Sequence, residues 1–324
     1  MRERVAAPLV FEPILKDRIW GGTKLKTDLG KTNLPTGTTG ESWELSGVEG
    51  DVSIVKEGPY KGKSLTYLLD NYAVDIVGQK VYEQFGKQFP LLFKFLDARE
   101  DLSIQVHPND ELAKKRHNSF GKTEMWYVMQ ADEGARIIVG FKETSSAKEY
   151  LEHLENKTLI NILNEVPVKK GDVFFLETGT IHAIGAGIVI AEIQQTSDIT
   201  YRIYDWDRVD AQGKSRELHV EQALDAMNYN TTDAQKYYTT VQNAGNVMVD
   251  CPYFTTNYFP LNGLAEVTKD GSSFTVYICT EGEYKIQAEG KTYVFRKGDT
   301  VLMPAALGSY ALEGHATLLE IYIS

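Results

Sequence analysis

The sequence predicts a mainly β protein made of two antiparallel jelly-roll barrels, the first of which carries helical insertions. Two observations support this class. Short apolar runs alternate with Gly-rich turns over most of the 324 residues, which is typical of antiparallel strands. A Lys-Gly-Asp turn followed by an apolar run also occurs twice. Strands of this kind with few helices between them form double-sheet barrels.

The second barrel is predicted from this repeat. Gly171 and His182 recur as Gly298 and Ser309, each 127 residues later, with an apolar run between them in both copies. A repeated supersecondary unit indicates related domains. We therefore predict a first domain over residues 1–245, which keeps its metal ligand at His182, and a smaller domain over residues 246–324 that has none.

The first part of the chain combines strands and helices. Residues 11–55 are rich in Gly, Thr and Trp, which predicts strands and loops. Apolar residues at helical spacing predict helices within residues 64–85. Residues 90–96 are predicted to form a buried strand that contains Lys94. Such a lysine either reaches outward to solvent or points into a pocket, and the sequence leaves both interpretations open.

The later elements are predicted from capping residues, apolar register and turn residues. They are, in order, a short helix from Asn109 or Asp110 through Lys115, a hairpin over 128–141 that turns at Asp132-Glu133-Gly134, a helix within 145–163, strands from 166, a helix over 219–227, and short strands over 253–324.

Charge and composition exclude several classes of partner. The net charge of −11 repels nucleic acid and anionic membranes. The two cysteines, Cys251 and Cys279, have no paired spacing, so neither a disulfide framework nor a thiolate metal site is predicted. The start of the chain has no apolar signal region, and no segment has the length of a membrane span. We predict a cytoplasmic protein, and nothing indicates a protein partner.

A group of polar residues predicts a metal site. Alternate residues of a strand share a face, so Gln105 and His107 point the same way. Glu124 opens another apolar run, and His182 follows the predicted strand Val173–Leu176. Two imidazoles, a carboxylate and an amide oxygen suit Zn²⁺, with Fe²⁺ or Mn²⁺ as competitors. The competing interpretation is that a structural histidine and a surface carboxylate merely share this region.

Other catalytic motifs are absent from the sequence. Gly121-Lys122-Thr123 ends like a phosphate-binding P-loop, but Arg116 stands where the first glycine is required. Neither a His-Glu-x-x-His helix, nor a serine-hydrolase elbow, nor a dinucleotide-binding glycine motif occurs. The predicted metal site is what remains.

Three motifs of the chain stand out, namely Ser103-Ile104-Gln105-x-His107-Pro108, Lys122-x-Glu124-Met125 and Gly179-Thr180-Ile181-His182-Ala183. They resemble those of the type I mannose-6-phosphate isomerases, which are zinc enzymes of the cupin fold, and the short bacterial form is the most similar. The resemblance implies that one zinc ion is bound by Gln105, His107, Glu124 and His182. The chain departs from the eukaryotic members in its short Gly185-Ala186-Gly187 loop and in lacking their large helical insertion.

The resemblance also implies roles for six further residues. The candidate catalytic residues are Arg202, Lys122 and Glu192, and the candidate contacts to the substrate or its phosphate are Lys94, Ser103 and Asp198. Lys122 also matches a position that contacts substrate or phosphate in this family. The substrate would be a small sugar phosphate.

The implied reaction explains why such residues are needed. Converting an aldose to a ketose removes a proton beside a carbonyl and forms an enediolate, whose negative oxygen a metal and Arg202 can stabilise. The base is left open between Glu192, Lys122 and a zinc-held hydroxide. Arg202 could instead form a structural ion pair with Asp198 or Asp205. The rival functions are a non-catalytic sugar-phosphate-binding cupin and a cupin enzyme that acts on another sugar.

Overall fold

The computed structural model describes residues 4–210 and 212–324, and it is mainly β. The strands before residue 246 are β1 Ile14–Gly22, β2 Thr39–Leu45, β3 Leu91–Ala98, β4 Ile104–Val106, β5 Glu124–Ala131, β6 Arg136–Phe141, β7 Leu163–Pro167, β8 Val173–Leu176, β9 His182–Ile184, β10 Ile188–Gln195, β11 Tyr201–Tyr204 and β12 Gln235–Lys236. The later strands are β13 Asn246–Asp250, β14 Thr255–Thr268, β15 Thr275–Ala288, β16 Lys291–Arg296, β17 Thr300–Met303 and β18 Ser309–Tyr322.

Helices occupy a smaller share of the described chain. They are α1 Lys24–Thr27, α2 Leu65–Val77, α3 Gln79–Phe85, α4 Asp110–His117, α5 Ala147–Glu155 and α6 Val220–Ala226, with a single 3₁₀ turn at Leu159–Ile162. The side chains of Ser64, Asn109 and Ser146 cap α2, α4 and α5. Of the two caps predicted for α4, Asn109 and Asp110, the structure has Asn109. No helix in the described part of the chain is long and apolar enough to cross a bilayer.

Two antiparallel sheets form the first part of the fold. One has seven strands in the order β1-β2-β3-β10-β5-β8-β12, and the other has five in the order β11-β4-β9-β6-β7. An apolar cluster joins them, with Trp126 from the first sheet and Ile137 from the second. This packing of two sheets confirms the predicted mainly β jelly-roll class.

The predicted hairpin over residues 128–141 is wrong. β5 pairs with β10 and β8, whereas β6 pairs with β7 and β9 in the other sheet. The turn at Asp132-Glu133-Gly134 therefore carries the chain from one sheet to the other. A Gly-containing turn between two apolar runs has the same local sequence in both situations, so the pattern alone does not distinguish them.

The six-stranded third sheet has the order β13-β14-β18-β15-β16, with β17 paired to β15. The sequence predicts only short strands over residues 253–324, which is wrong, because β14, β15 and β18 each have 14 residues. Within β15, Gly282 has a φ of +79°, and a Cβ there would lie 2.1 Å from the carbonyl oxygen of His315. Only glycine permits this bend, which allows a long strand to remain paired across it.

The repeat seen in the sequence is also present in the strands. β8 and β17 begin and end at positions 127 residues apart, and the strands that follow them begin at His182 and Ser309. A large apolar cluster brings together α2, α3, the outer face of the seven-stranded sheet, including Phe93, and the third sheet, including Val276. The domain boundary between residues 245 and 246 stays a prediction.

Candidate metal centre and active site

Strand register in the five-stranded sheet places three predicted site residues side by side. Gln105 of β4 pairs with His182 of β9 on one side and with Arg202 of β11 on the other. Directly opposed residues of neighbouring strands point to the same face of a sheet. One face of this sheet therefore presents an imidazole, an amide and a guanidinium in a row.

The seven-stranded sheet places a second row opposite the first. Glu192 of β10 pairs with Lys94 of β3 and with Trp126 of β5. Glu124 lies two residues before Trp126 and so shares its face. Phe93 is on the other face of β3, in the apolar core. Lys94, which is 5% exposed, therefore points into the pocket, and the sequence-based ambiguity is resolved.

The ligand atoms of His107, Glu124 and His182 lie within 4.8 Å of one another. Oε2 of Glu124 lies 3.5 Å from Nε2 of His107, and Oε1 of Glu124 lies 3.4 Å from Nε2 of His182. Nδ1 of His107 lies 3.0 Å from the carbonyl oxygen of Ile199, and Nδ1 of His182 lies 2.8 Å from that of Thr180. Because a carbonyl only accepts hydrogen bonds, each Nδ1 carries the proton and each Nε2 offers a lone pair.

The chemistry of this group fits a divalent cation. Both carboxylate oxygens of Glu124 are buried, and neither accepts a hydrogen bond from the described residues. Burial, together with the nearby Glu192, raises the pKa of Glu124 to about 7. Burial also lowers the pKa of His182 to about 4 and that of His107 well below its usual value. A buried carboxylate that accepts no hydrogen bond is costly, and a cation satisfies it together with two neutral imidazoles.

Gln105 is positioned to complete the ligand set. Its amide nitrogen lies 3.3 Å from Nε2 of His182, and its amide oxygen lies 3.4 Å from Oγ of Ser103. Nitrogen and oxygen of an amide are assigned from their hydrogen bonds, and rotation of the amide exchanges them. The oxygen of Gln105 can thus face the same centre as the histidines. Ser103 then contacts this amide.

Lys122 places its ammonium group beside the candidate ligands. Nζ of Lys122 lies 3.2 Å from Nε2 of His107 and 3.5 Å from Oε2 of Glu124. Burial lowers the pKa of Lys122, but the carboxylates of Glu124 and Glu192 outweigh burial and raise it. Lys122 is therefore charged in the structure, and it carries a proton at the edge of the candidate ligand group.

Glu192 is fully engaged by its neighbours. One oxygen accepts a hydrogen bond from Nζ of Lys94 at 3.1 Å, and the other accepts one from Nε1 of Trp126 at 3.0 Å. Burial acts to raise the pKa of Glu192, but Lys94 and Lys122 have the larger effect and lower it. Nζ of Lys94 also lies 5.0 Å from the ring centre of Trp43. The Glu192 carboxylate is therefore an anion held in a fixed position.

Arg202 makes no ion pair with any described residue. Its Nη1 donates to the carbonyl oxygen of Glu217 at 2.9 Å, while Nε is buried without an acceptor. Asp205 is instead paired with Arg208 and Arg216. Burial, followed by the charge of Arg216, lowers the pKa of Arg202, but a guanidinium remains charged at neutral pH. The proposed ion pairs of Arg202 with Asp198 or Asp205 are not formed.

A cavity of about 620 Å³ brings the predicted residues together. Eight of the ten line it, namely Lys94, Ser103, Gln105, Lys122, His182, Glu192, Asp198 and Arg202. His107 and Glu124 are buried next to them. The cavity is large enough for a small sugar phosphate and its lining is strongly charged, which suits a polar anionic ligand.

One side of this cavity is not predicted from the sequence, and it is formed by Arg18 of β1 with Glu41 and Trp43 of β2. Arg18 makes two hydrogen bonds to Glu41, at 2.9 and 3.1 Å, and Nε1 of Trp43 donates to Glu41 at 2.7 Å. Burial acts to raise the pKa of Glu41, but Lys94 and Arg18 outweigh it and lower that pKa to about 2. Glu41 and Trp43, two residues apart in a strand, gave the only available signal, and a buried tryptophan explains it equally well.

Fold and site together define a cupin protein with a buried cluster suited to a metal ion. Residues 9–139 match the model of the phosphomannose isomerase type I catalytic domain, and residues 244–323 match that of the mannose-6-phosphate isomerase cupin domain. The chain belongs to the type I phosphomannose isomerase family and is an enzyme, as the sequence motifs predict.

Individual relatives resemble the chain over nearly its whole length. Mannose-6-phosphate isomerase ManA of Bacillus subtilis is 39% identical, covering 98% of this chain and 99% of that protein. Mannose-6-phosphate isomerase of Streptococcus mutans is 37% identical, covering 97% and 98%. A solved structure of mannose 6-phosphate isomerase from Bacillus subtilis superposes with a TM-score of 0.88 at 35% identity, over 97% of this chain and 99% of that one.

Proposed function

We propose that this chain interconverts mannose 6-phosphate and fructose 6-phosphate with a zinc ion bound by Gln105, His107, Glu124 and His182. The observation that carries this proposal is the convergence, beside a charged cavity, of two imidazole nitrogens and two Glu124 oxygens that accept no hydrogen bond from the described residues. Relatives that match the chain over nearly its full length are named for this reaction. Two nitrogen and two oxygen ligands favour Zn²⁺, with Fe²⁺ and Mn²⁺ as competitors.

A bound zinc ion would act as a Lewis acid, polarising the sugar oxygens next to the carbon that loses its proton. Arg202 supplies fixed positive charge in the same cavity. As the proton leaves carbon, negative charge develops on the enediolate oxygen, and the guanidinium stabilises that charge more strongly than it stabilises the neutral sugar. Arg202 has free donor capacity for this purpose, since Nε has no acceptor among the described residues.

We propose Lys122 as the residue that carries the proton between the two sugar carbons: its neutral amine accepts the proton from one carbon, and the ammonium so formed returns it to the neighbouring carbon. It is the titratable cation in contact with the candidate ligands. Glu124 is the strongest of the charges that raise the pKa of Lys122, so neutralising Glu124 with a ligand cation brings that pKa down. Glu192 is ionised as a base requires, but both of its oxygens are already engaged. The position of Glu192 instead favours a role in keeping the side chains of Lys94 and Lys122 in place and in tuning their pKa values.

Lys94, Ser103 and Asp198 are proposed as contacts to the substrate and its phosphate. Lys94 and Ser103 are buried in the cavity wall, and Asp198 is an exposed residue of its lining. A phosphate dianion needs charge-assisted donors in an otherwise acidic protein. Lys16 and Arg18 line the same cavity and add to its positive charge. We propose a cytoplasmic setting, with the sugar phosphate as the only partner.

The test follows fructose 6-phosphate formation from mannose 6-phosphate by purified protein before chelation, after chelation and after zinc is restored. We expect activity to disappear with the metal and to return with zinc. Stoichiometric zinc and tight sugar-phosphate binding without turnover would indicate a non-catalytic binding protein instead. Turnover of a different sugar with none of mannose 6-phosphate would indicate a cupin enzyme of other specificity.

A further inference from the structure

The loop of residues 121–123 carries Lys122 and leads directly into Glu124, yet it belongs to no helix or strand. Each backbone N–H group of the loop donates a hydrogen bond to an acceptor outside the loop. The three bonds run from Gly121 to Oδ1 of Asp110 at 2.8 Å, from Lys122 to the carbonyl oxygen of Pro108 at 3.3 Å and from Thr123 to Oε1 of Gln195 at 2.9 Å. The position of the Lys122 side chain therefore depends on these bonds.

Asp110 links this loop to the segment that leads into β14 of the third sheet. Oδ1 of Asp110 accepts hydrogen bonds from Gly121 and from Nε2 of Gln195, the latter at 3.0 Å. Oδ2 accepts one from the hydroxyl of Tyr253 at 2.8 Å. Tyr253 lies just before β14, and 143 residues separate it from Asp110. A side chain next to the third sheet thus fixes the carboxylate that holds the loop beside the metal cluster.

The loop residues 121–123 are buried, whereas the groups that accept their hydrogen bonds border open space. Asp110, Gln195 and Tyr253 all line a second cavity, of about 890 Å³. The loop is pressed against the start of α4, since a Cβ on Gly121 would lie 2.7 Å from the backbone nitrogen of Asp110. Displacement of the loop towards α4 is therefore blocked.

We propose that Tyr253 and Asp110 are positioning residues for Lys122 and Glu124. Through these two residues, the segment that leads into β14 of the third sheet affects the geometry of the active site. Lys122 is only 3.2 Å from His107, so a small displacement of the loop removes it from its working position. The kinetic part of this inference rests on the proposed function. Its structural part, the immobilisation of residues 121–123, does not.

The first test replaces Tyr253 with phenylalanine, which removes a single hydroxyl. We expect kcat to fall about tenfold while KM changes by less than about twofold, because substrate binding is kept and geometry is lost. Tyr310→Phe is the matched control. The buried hydroxyl of Tyr310 lies 3.0 Å from that of Tyr277 inside the third sheet, so this variant also removes one hydroxyl, but away from the loop. That variant loses thermal stability and keeps kcat.

The second test uses Asp110 and its neighbour in α4. Asp110→Ala removes all three accepted hydrogen bonds and should lower kcat further than Tyr253→Phe does. Asp110→Asn keeps Oδ1 as an acceptor and can donate to the Tyr253 oxygen, so it recovers most of the loss. Glu111→Ala removes an exposed carboxylate from the same helix turn without touching the loop, and it controls for the helix dipole.

Hydrogen–deuterium exchange supplies a readout that needs no catalysis. In Tyr253→Phe the amides of residues 121–123 should exchange about tenfold faster, while the core strands β3 and β10 are unchanged. Unchanged exchange in this loop would overturn the inference, whatever the substrate of the enzyme is. An equal loss of kcat in Tyr310→Phe would also overturn it, because the effect would then be one of general stability.

Discussion

The ammonium nitrogen of Lys122 lies 3.2 Å from Nε2 of His107, the atom that this histidine offers to a metal ion. A metal cation bound by these residues would lie next to the Lys122 ammonium and share the negative charge of Glu124 with it. Proton binding and metal binding at this site are consequently linked, because each changes the charge that the other meets. This linkage makes the metal site testable by its pH dependence.

Metal affinity should weaken as pH falls below about 7. Glu124, with its pKa raised to about 7, then carries a proton in the metal-free site, whereas His182 stays neutral down to about pH 4. Each bound cation must displace about one proton in that range, so affinity falls about tenfold per pH unit and levels off above pH 7. Competition titrations with a chelator from pH 5 to 8 measure this slope.

Glu124→Gln is the control for this prediction. It removes the titrating group and keeps the shape of the side chain, so metal binding becomes weaker at neutral pH but nearly independent of pH. A slope that survives in Glu124→Gln would assign the displaced proton to another residue, and His107 would be the first to examine.

Lys122→Gln should abolish most of the turnover without loss of metal. A proton carrier contributes about 10²- to 10⁴-fold to a rate, and glutamine cannot replace it, while the metal ligands themselves are intact. Steady-state kinetics with metal analysis of the same preparation measure both properties. Lys115→Gln, an exposed lysine of α4, should behave like the wild type. If Lys122→Gln keeps its kcat, the proton is carried elsewhere, and Glu192→Gln becomes the decisive variant.

Lys94→Gln should raise KM for the phosphorylated sugar by about 10- to 100-fold, because a hydrogen bond between charged groups is lost. Glutamine can still donate to Glu192, which avoids leaving that carboxylate unpartnered. The control is Lys31→Gln, since Lys31 is also a buried lysine and lies 2.7 Å from Glu44, outside the cavity. Initial rates over a range of mannose 6-phosphate measure KM. An unchanged KM in Lys94→Gln would remove Lys94 from the phosphate site.

The sequence predicts the candidate metal ligands better than the cavity around them. Alternation along an extended segment relates Gln105 of β4 to His107, which lies one residue beyond that strand, and family motifs supply Glu124 and His182. Arg18 and Glu41 were missed because their contribution depends on the pairing of β1 and β2 next to β3, which local patterns do not encode. The contact of Asp110 with Tyr253 is equally hidden, since 143 residues separate its partners.

Fold prediction shows the same division between local and long-range information. Helix caps and apolar runs identify the elements, because capping and periodicity act within a few residues. The turn at Asp132-Glu133-Gly134 was assigned to a hairpin because turn chemistry does not specify which sheet receives the next strand. The length of β14 and β15 was missed for a related reason, since glycines such as Gly263 and Gly282 in long bent strands resemble turns in sequence.

Arg202→Ala should lower kcat by about 10²- to 10³-fold, the usual loss when a donor to a developing oxyanion is removed. KM should change little, because the guanidinium interacts mainly with charge that appears after the substrate has bound. Arg202→Lys keeps the charge but not the planar donor fork, so it recovers only part of kcat. Steady-state kinetics of the three proteins, with thermal unfolding of each, measure these effects.

A structural role for Arg202 predicts a different pattern. Nη1 of Arg202 donates to the carbonyl oxygen of Glu217, and its backbone N–H donates to Nδ1 of His219, a bond that survives replacement of the side chain. If Arg202 mainly supports this segment, Arg202→Ala lowers the melting temperature, and kcat is restored by cooling. A folded Arg202→Ala protein with full metal content and lost kcat would place the guanidinium in the reaction itself, since only a group acting on the transition state changes kcat alone.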